Sequence, residues 1–506
     1  MRSWRRLFDE NAVVLGVAAV VAALLVGARL LMLNTELGGP GDQLVYYAQA
    51  GRLLPFTNQW YGPSYFVALR IVHQLSHLEW FMSGKVLSFV SICVYLVLCE
   101  RLFRRVLSNT AHWLALAVIA LNAQVISMAY SSLTIAYGAA WMLAAVTVLA
   151  SATLDRNREW FLAGLLFGIA ALARFQSIGL LLGGVAGTFV LEGPIRARGR
   201  GALLLVFGAA IPVVAWKSFL LAVQGYVPVD ANFANLAAAA GEGVAFPEVG
   251  QLVQKYGSML HYIADDPMRL MRILRTAAAQ TIRFPIDEGV TLFGLVVCWL
   301  IPGTLLLGLR RSSYAPWTGA IVSGFLLTAI ASNGWVYYYL PVLPGLVFII
   351  AKAIEEPGRE RSPMLVRLSW VVAVVATIGW SAAQVPKRFR DINWTEWTEA
   401  RRYLNARAAD APMVVSTTAA SLSYGAKFRY IDFDEIMVGH DSANFVDKLR
   451  ARGVTHFVVS ERHSLWVYPS ERPLLADSIA SLPAGLIRDT LIVSPKRVAI
   501  FSVVPR

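Results

Sequence analysis

Asp42 stands in "GGPGDQLVYYAQAGRLLP" (38–55), a polar stretch that follows a long apolar run. The glycines and proline on its amino side favour an irregular turn that can fix a side chain. A carboxylate held near low dielectric can be tuned to take a proton from an attacking hydroxyl. The plainer alternative is a helix N-cap, with "GD" opening the helical "QLVYYAQAGRLL" and satisfying orphan amides. Tyr46 and Tyr47 follow at once, and "NQWYGPSYFVALR" (58–70) adds Trp60, Tyr61, Tyr65 and Phe66. Such rings anchor at the headgroup level of a membrane, and carbohydrate faces also pack on them.

Cations come next. Arg174, in "LARFQS" (172–177), falls where the chain turns between two short apolar runs. A guanidinium at membrane depth is costly, and its fork of donors suits a phosphate. Lys85 opens the second apolar run; the plainer reading is an ammonium that snorkels to the interface. "DDPMRLMRILRTAAAQTIRF" (265–284) reads as an amphipathic helix after a proline start, with Arg269, Arg272, Arg275 and Arg283 spread along it. It could lie on a membrane surface and meet a lipid phosphate, although a solvated face explains such a run equally. "SNGWVYYYLPVLPG" (332–345) supplies an aromatic belt that includes Tyr338, and a pocket wall second. His73 and His77, in "HQLSH", share a helix face at a spacing that suits a metal, with no acidic third ligand nearby in sequence.

The elements that must position these residues are membrane helices. Of the 506 residues 57% are hydrophobic and only 15% are charged. A soluble domain averages about 45–50% apolar and about 25% charged residues. Reading runs near the ~20 residues that span a bilayer predicts about eleven helices: 11–33, 81–99, 111–128, 133–151, 160–173, 177–192, 201–222, 290–309, 315–331, 336–354 and 366–385. Every second connection is rich in Lys and Arg: Arg2, Arg5 and Arg6; Arg101, Arg104 and Arg105; Arg156 and Arg158; Arg196, Arg198 and Arg200; Arg310 and Arg311; Lys352, Arg359 and Arg361. That alternation predicts a cytoplasmic amino terminus, with loops 34–80 and 223–289 and the tail facing outward. The first run is too long for a signal-peptide core and reads as an uncleaved helix.

The expected architecture is therefore a membrane domain over 1–385 and a small α/β domain over 386–506. The tail carries strand-like "MVVS" (413–416), "HFVVS" (456–460) and "VAIFSVV" (498–504), alternating with helical pieces such as "NFVDKLRARG" (444–453). The net charge of +13 is spread in short clusters between apolar runs, so it reads as a topology signal and not as a nucleic-acid surface. Cys93, Cys99 and Cys298 all lie in apolar runs and offer neither a disulfide framework nor a metal spacing. Walker A, GxGxxG after a strand, HExxH and GxSxG motifs are absent from the sequence. With no segment long enough for a soluble nucleotide-sugar domain, a transferase built this way would need a donor delivered by the membrane.

In this setting the chain resembles the GT-C membrane glycosyltransferases, in particular the bacterial branch related to the aminoarabinose transferase of lipid A and to protein O-mannosyltransferases. The matching segments are the acid in the first outer loop, "WYGPSYF" (similar to x-P-P-L-Y), "LARFQSIGLLLG" (similar to L-x-R-P-x-G-L) and "YYYLPVLPGLVFI" (similar to R-Y-x-L-P-x-x-P). The resemblance implies a sugar donor on polyprenyl phosphate and an acceptor hydroxyl on a cell-envelope glycolipid, glycan or protein. It implies Asp42 as general base and Arg174 and Lys85 as holders of the leaving phosphate; Tyr46, Tyr47, Tyr61, Arg283 and Tyr338 are the further expected substrate-binding residues. The bilayer is the medium, the bacterial inner membrane the expected location with the tail domain periplasmic, and a monomer the expected state. Three departures stand out: Asp42 has no adjacent acid, "AYSSLTIAYG" (129–138) has none, and a tyrosine replaces the arginine of the last motif. Asp265, Asp266, Asp287 or Glu288 would have to supply any second carboxylate. A divalent metal ion remains the one possible cofactor.

Two other readings fit a multi-pass chain. A transporter or flippase of envelope lipid or glycan calls for ionisable residues near the bilayer midplane and broken helices in matching halves. The charges of this chain cluster outside. A non-catalytic sensor of an envelope ligand gives no reason for Asp42 and Arg174 together.

Overall fold

The computed structural model describes residues 2–31, 50–51, 53–54, 56, 62–78, 80–129, 131, 133–227, 236–237, 239–242, 252, 255–287, 314–331, 336–355, 363–390, 395–417, 422, 426–436, 444–461, 472–476, 482–493 and 497–505. The chain divides into two compact units. One takes 1–37, 49–230 and 269–390, and the other takes 38–48, 231–268 and 391–506.

The first unit is helical. In chain order it holds α1 (Arg2–Leu31), α2 (Pro63–Ser76), α3 (Trp80–Val106), α4 (Asn109–Ala120), α5 (Ala123–Met128), α6 (Thr134–Leu149), α7 (Asn157–Ala171), α8 (Ser177–Thr188) and α9 (Ile195–Gln224). After α10 (Met259–Asp265), which belongs to the second unit, come α11 (Pro267–Asp287), α12 (Ala315–Ala331), a 3-10 turn at Val336–Tyr339, α13 (Leu343–Glu355) and α14 (Pro363–Arg390). Among the described residues three helical stretches are long and apolar enough to cross a membrane: Asn11–Arg29, Met82–Val106 and Ile195–Gln224. Shorter apolar helices cover Asn109–Ala120, Thr134–Leu149, Ser177–Thr188, Ala315–Thr328 and Trp370–Val385. The expected eleven are thus not all present as single long spans. The predicted span 111–128 breaks where the Asn122 side chain accepts from the amide of Gln124 at 2.9 Å and caps α5. The predicted 336–354 opens as a 3-10 turn, and 290–309 lies outside the described residues.

In lipid, apolar side chains gain nothing by meeting one another, so helices associate where small residues let backbones touch. On α1 the buried stripe is Ala12, Gly16, Ala19, Ala23 and Gly27, at helical spacing, while Val14, Val17, Val21 and Leu25 stay exposed. Gly183 of α8 and Gly319 of α12 face each other so closely that a Cβ on either would collide with the other's carbonyl oxygen. The α7–α9 crossing is built the same way: a Cβ at Gly164 would strike the Leu205 carbonyl, and one at Gly208 the Phe161 carbonyl. These crossings fix the turn between α7 and α8, from which Arg174 projects.

The second unit carries α10, α15 (Thr395–Arg407), α16 (Phe433–Ile436), α17 (Phe445–Ala451) and strands β1 (Val414–Thr417), β2 (Arg429–Asp432), β3 (His456–Ser460), β4 (Leu486–Ile492) and β5 (Val498–Val503). They form a five-stranded sheet in the order β2-β1-β3-β5-β4. β1 runs parallel to β2 and β3, and β5 pairs antiparallel with β3 and β4. Both faces are covered, as the continuous apolar strands require. Phe457, Ala499 and Phe501 pack with Phe433, Phe445 and Leu449, whereas Val415, Val458 and Ile500 pack with Trp397 and Leu404 of α15.

One polar cluster interrupts this sheet. The Asp489 carboxylate accepts from the Ser502 hydroxyl at 2.8 Å, pairs with Arg407 at 3.2 Å and lies 3.6 Å from His456 Nε2. Burial, reinforced by the Arg407 charge and opposed by Asp489, lowers the pKa of His456. The folded form therefore binds this proton more weakly than the unfolded chain, whose value is about 6.5. Its contribution is present above that value and is lost as pH falls from there toward the lower folded pKa.

Two outcomes follow. Gly183→Leu should cost about 1–3 kcal/mol or more by overpacking, read as a lowered thermal midpoint in detergent, while Leu182→Ala on the exposed side leaves it within about 0.5 kcal/mol. The protection factors of the β3 and β5 amides in the full chain, with the intrinsic pH dependence of exchange divided out, should fall below about pH 6.5, and His456→Gln should flatten that dependence; an unchanged acid dependence in the variant would refute the role of His456.

Candidate active site

The site is built around one turn. α7 ends at Ala171, and the amide of Arg174 returns to the Ala170 carbonyl at 2.7 Å. The Ser177 hydroxyl then donates to the Phe167 carbonyl at 2.6 Å, clamping the start of α8 beside the end of α7. Arg174 is launched inward from this reversal and is only 5% exposed.

Its side chain lies across Gly138 of α6. A Cβ there would meet Arg174 Cγ at 3.0 Å and Cδ at 3.1 Å, so the lack of a side chain at 138 makes the path. Arg174 Nε donates to Gln176 Oε1 at 2.9 Å, and one terminal nitrogen donates to the Thr134 hydroxyl at 2.5 Å. The guanidinium carbon sits 4.5 Å from the centroid of the Tyr338 ring. A cation over an aromatic face gains about 0.5–2 kcal/mol, more when desolvated. Gln176, Thr134 and Tyr338 together orient the fork. An oriented buried guanidinium is suited to hold an anion bidentately.

Other elements hold these partners. The Tyr95 hydroxyl of α3 donates to the Leu340 carbonyl at 2.8 Å, and the Phe325 ring of α12 lies 5.2 Å from that of Tyr339. Together they set the 3-10 turn that presents Tyr338. The segment Gly62–Tyr65 docks onto the Arg174 turn: the Ser64 amide donates to the Leu172 carbonyl at 3.2 Å, and a Cβ at Gly62 would collide with that same carbonyl. The Tyr65 ring then lies 5.8 Å from that of Tyr137. Three segments far apart in sequence, Gly62–Phe66, Leu172–Ser177 and Tyr338–Leu340, thus meet at one place. The segment before α2 is also tied down. The Phe56 amide donates to Gln224 Oε1 at 2.8 Å, and Gln224 Nε2 donates back to the Phe56 carbonyl at 3.1 Å.

Lys85 does not snorkel. It is 0% exposed within α3. One turn on, the Ser88 hydroxyl donates to the Leu133 carbonyl at 3.4 Å, which sets this face of α3 against the start of α6, next to Thr134. Asp42, Tyr46, Tyr47 and Tyr61 lie outside the described residues, as do Glu288 and the side chains of Arg283 and Asp287. Asp266 is a cap: its carboxylate accepts from the Met268 amide at 3.0 Å at the start of α11. His73 is engaged elsewhere, with Nδ1 2.7 Å from the Leu78 carbonyl and its ring stacked on Trp80 at 3.8 Å. Among the described residues no group of three His, Cys, Asp or Glu could hold a metal.

Thr134, Gly138 and Gln176 were not picked out from sequence. The available signal was the polar pair around Phe175 and the i, i+4 spacing of Thr134 and Gly138 in an otherwise apolar run. If the cradle orients the guanidinium for an anion, adding a polyprenyl phosphate should raise the thermal midpoint of the purified protein. Arg174→Gln should lose that shift. Thr134→Val and Gln176→Leu should each weaken the apparent affinity roughly tenfold, as for a hydrogen bond to a charged group worth about 1.5 kcal/mol.

No protein-family model matches the chain, and no curated protein matches it by sequence. Solved structures do match. ArnT from Cupriavidus metallidurans bound to undecaprenyl phosphate superposes with a TM-score of 0.57 at 11% identity, over 96% of this chain and 97% of that one. The Archaeoglobus fulgidus oligosaccharyltransferase in complex with Zn and sulfate gives 0.54 at 14% identity, over 87% and 68%. The same archaeal enzyme, AglB, with an inhibitory peptide and a dolichol-phosphate gives 0.51 at 14% identity, over 88% and 69%. With its apolar spans and this architecture, the chain is a membrane protein with the fold of the GT-C glycosyltransferases.

Proposed function

We propose that this protein is a glycosyltransferase that moves a sugar from a polyprenyl-phosphate donor to a hydroxyl of a cell-envelope glycolipid, glycan or protein. The observation that carries the reading is the buried Arg174 fork, held by Gln176, Thr134 and Tyr338 where three of the resembling segments converge. The GT-C fold supports it, since neighbours with that fold were solved with undecaprenyl phosphate and with dolichol-phosphate.

In the proposed reaction an acceptor oxygen attacks the anomeric carbon of the donor sugar. The new C–O bond forms as the bond from that carbon to the phosphate oxygen breaks. The acceptor proton passes to the Asp42 carboxylate, and the electron pair leaves with polyprenyl phosphate. Arg174 and the buried Lys85 offset the charge that builds on the departing phosphate. Tyr46, Tyr47, Tyr61, Arg283 and Tyr338 are the proposed pocket residues. The domain division at about residue 385, a cytoplasmic amino terminus, a tail domain on the outer face of the bacterial inner membrane, and a monomeric enzyme complete the proposal. The roles of Asp42 and of the topology rest on the sequence pattern alone.

The test is transfer of radiolabelled sugar from a polyprenyl-phosphate donor to membrane acceptors. Asp42→Asn should lower the rate by roughly 10²–10⁴-fold, the range for loss of a general base, with donor affinity retained. A fully active Asp42→Asn protein would sink the assignment of the base, and absence of transfer by the wild type with every donor tried would sink the enzyme itself.

A further inference from the structure

Between Met268 and Ala277 the amphipathic helix α11 presents a buried face and an exposed face that is part apolar and part basic. Ile273 and Ala277 are buried against the protein. Met271 and Leu274 are 59% and 46% exposed, on a neighbouring strip of the helix. Arg275 and Arg272 are also exposed, about 40° and 100° round from Met271 by helical geometry, with Met268, 60% exposed, between them. Exposed leucine and methionine on a soluble surface would be a liability, but in a membrane protein they mark lipid contact. A helix that packs on protein with one face and shows apolar side chains and arginines on the other fits the boundary between acyl chains and headgroups. Its arginines then lie at the depth of phosphate groups, where each basic residue favours anionic lipid.

From this we infer that α11 docks on the bilayer surface as an interfacial helix, and that Arg272 and Arg275 bind the headgroups of anionic phospholipids. The occupant is fixed by charge complementarity: two cations one turn apart beside an apolar strip match two adjacent lipid phosphates, each above its own acyl chains. The inference does not depend on the reaction assigned to the Arg174 cradle.

The test uses the full chain in nanodiscs of mixed phosphatidylcholine and phosphatidylglycerol, with bound lipid counted by native mass spectrometry. The wild type should retain phosphatidylglycerol preferentially. The double variant Arg272→Gln, Arg275→Gln should lose that preference by roughly tenfold or more, the product of two basic contacts. Arg272→Lys with Arg275→Lys keeps the charge and should keep most of the preference. Met271→Gln with Leu274→Gln should weaken retention of both lipids. The inference is overturned if the wild type shows no preference for phosphatidylglycerol, or if the double glutamine variant retains it as the wild type does. It is also overturned if that variant loses added polyprenyl phosphate while still holding phosphatidylglycerol, since the arginines would then belong to the donor path.

Discussion

A guanidinium carried into a helical membrane interior must be met by polar groups already in position, because no water is at hand to compensate for a loose fit. Arg174 meets that requirement with Gln176 beside it on the turn and with groups from two other places: Thr134 on α6 and Tyr338 on the 3-10 turn after α12. Each of those is itself pinned. Gly138 clears the path, the Tyr95–Leu340 bond sets the tyrosine turn, and the Gly62–Ser64 segment closes over Leu172. The surrounding helices can thus be read as the support of one buried cation.

That support depends on backbones coming close. The α7–α9 and α8–α12 crossings are made by glycines whose partners are carbonyl oxygens, not side chains. This is the packing expected where lipid gives no hydrophobic drive and van der Waals contact must suffice. It also explains why α8 serves with only the stretch Ser177–Thr188: its register is set at Gly183 and Gly187 against α12, not by its length.

The sequence announced much of this through charge. Arg174 and Lys85 were visible because ionisable residues are rare in apolar runs, and Tyr338 because it sits in a tyrosine cluster. The structure brings Arg174 and Tyr338 together. Lys85 was legible as a residue but not as a buried one, since burial depends on which face of α3 meets α6. Thr134 and Gln176 carried almost no signal, because a single neutral polar residue in a membrane helix usually bonds its own backbone, as Thr147 and Thr188 do here. The strands at 414–417, 456–460 and 498–503 coincide with readable apolar runs, whereas β2 and β4 were hidden by Arg429, Asp432, Arg488 and Asp489. The glycine spacings of α7 and α8 were plain in the sequence, yet spacing does not say which helix will be the partner.

The pairing of Gln224 with Phe56 closes a stretch of 168 residues with one side-chain amide. Nearly every helix of the bundle from α2 to α9 lies inside that span. One amide side chain thus ties the segment before α2 to the end of α9, and breaking it would bare Phe56, which is 3% exposed in the folded chain.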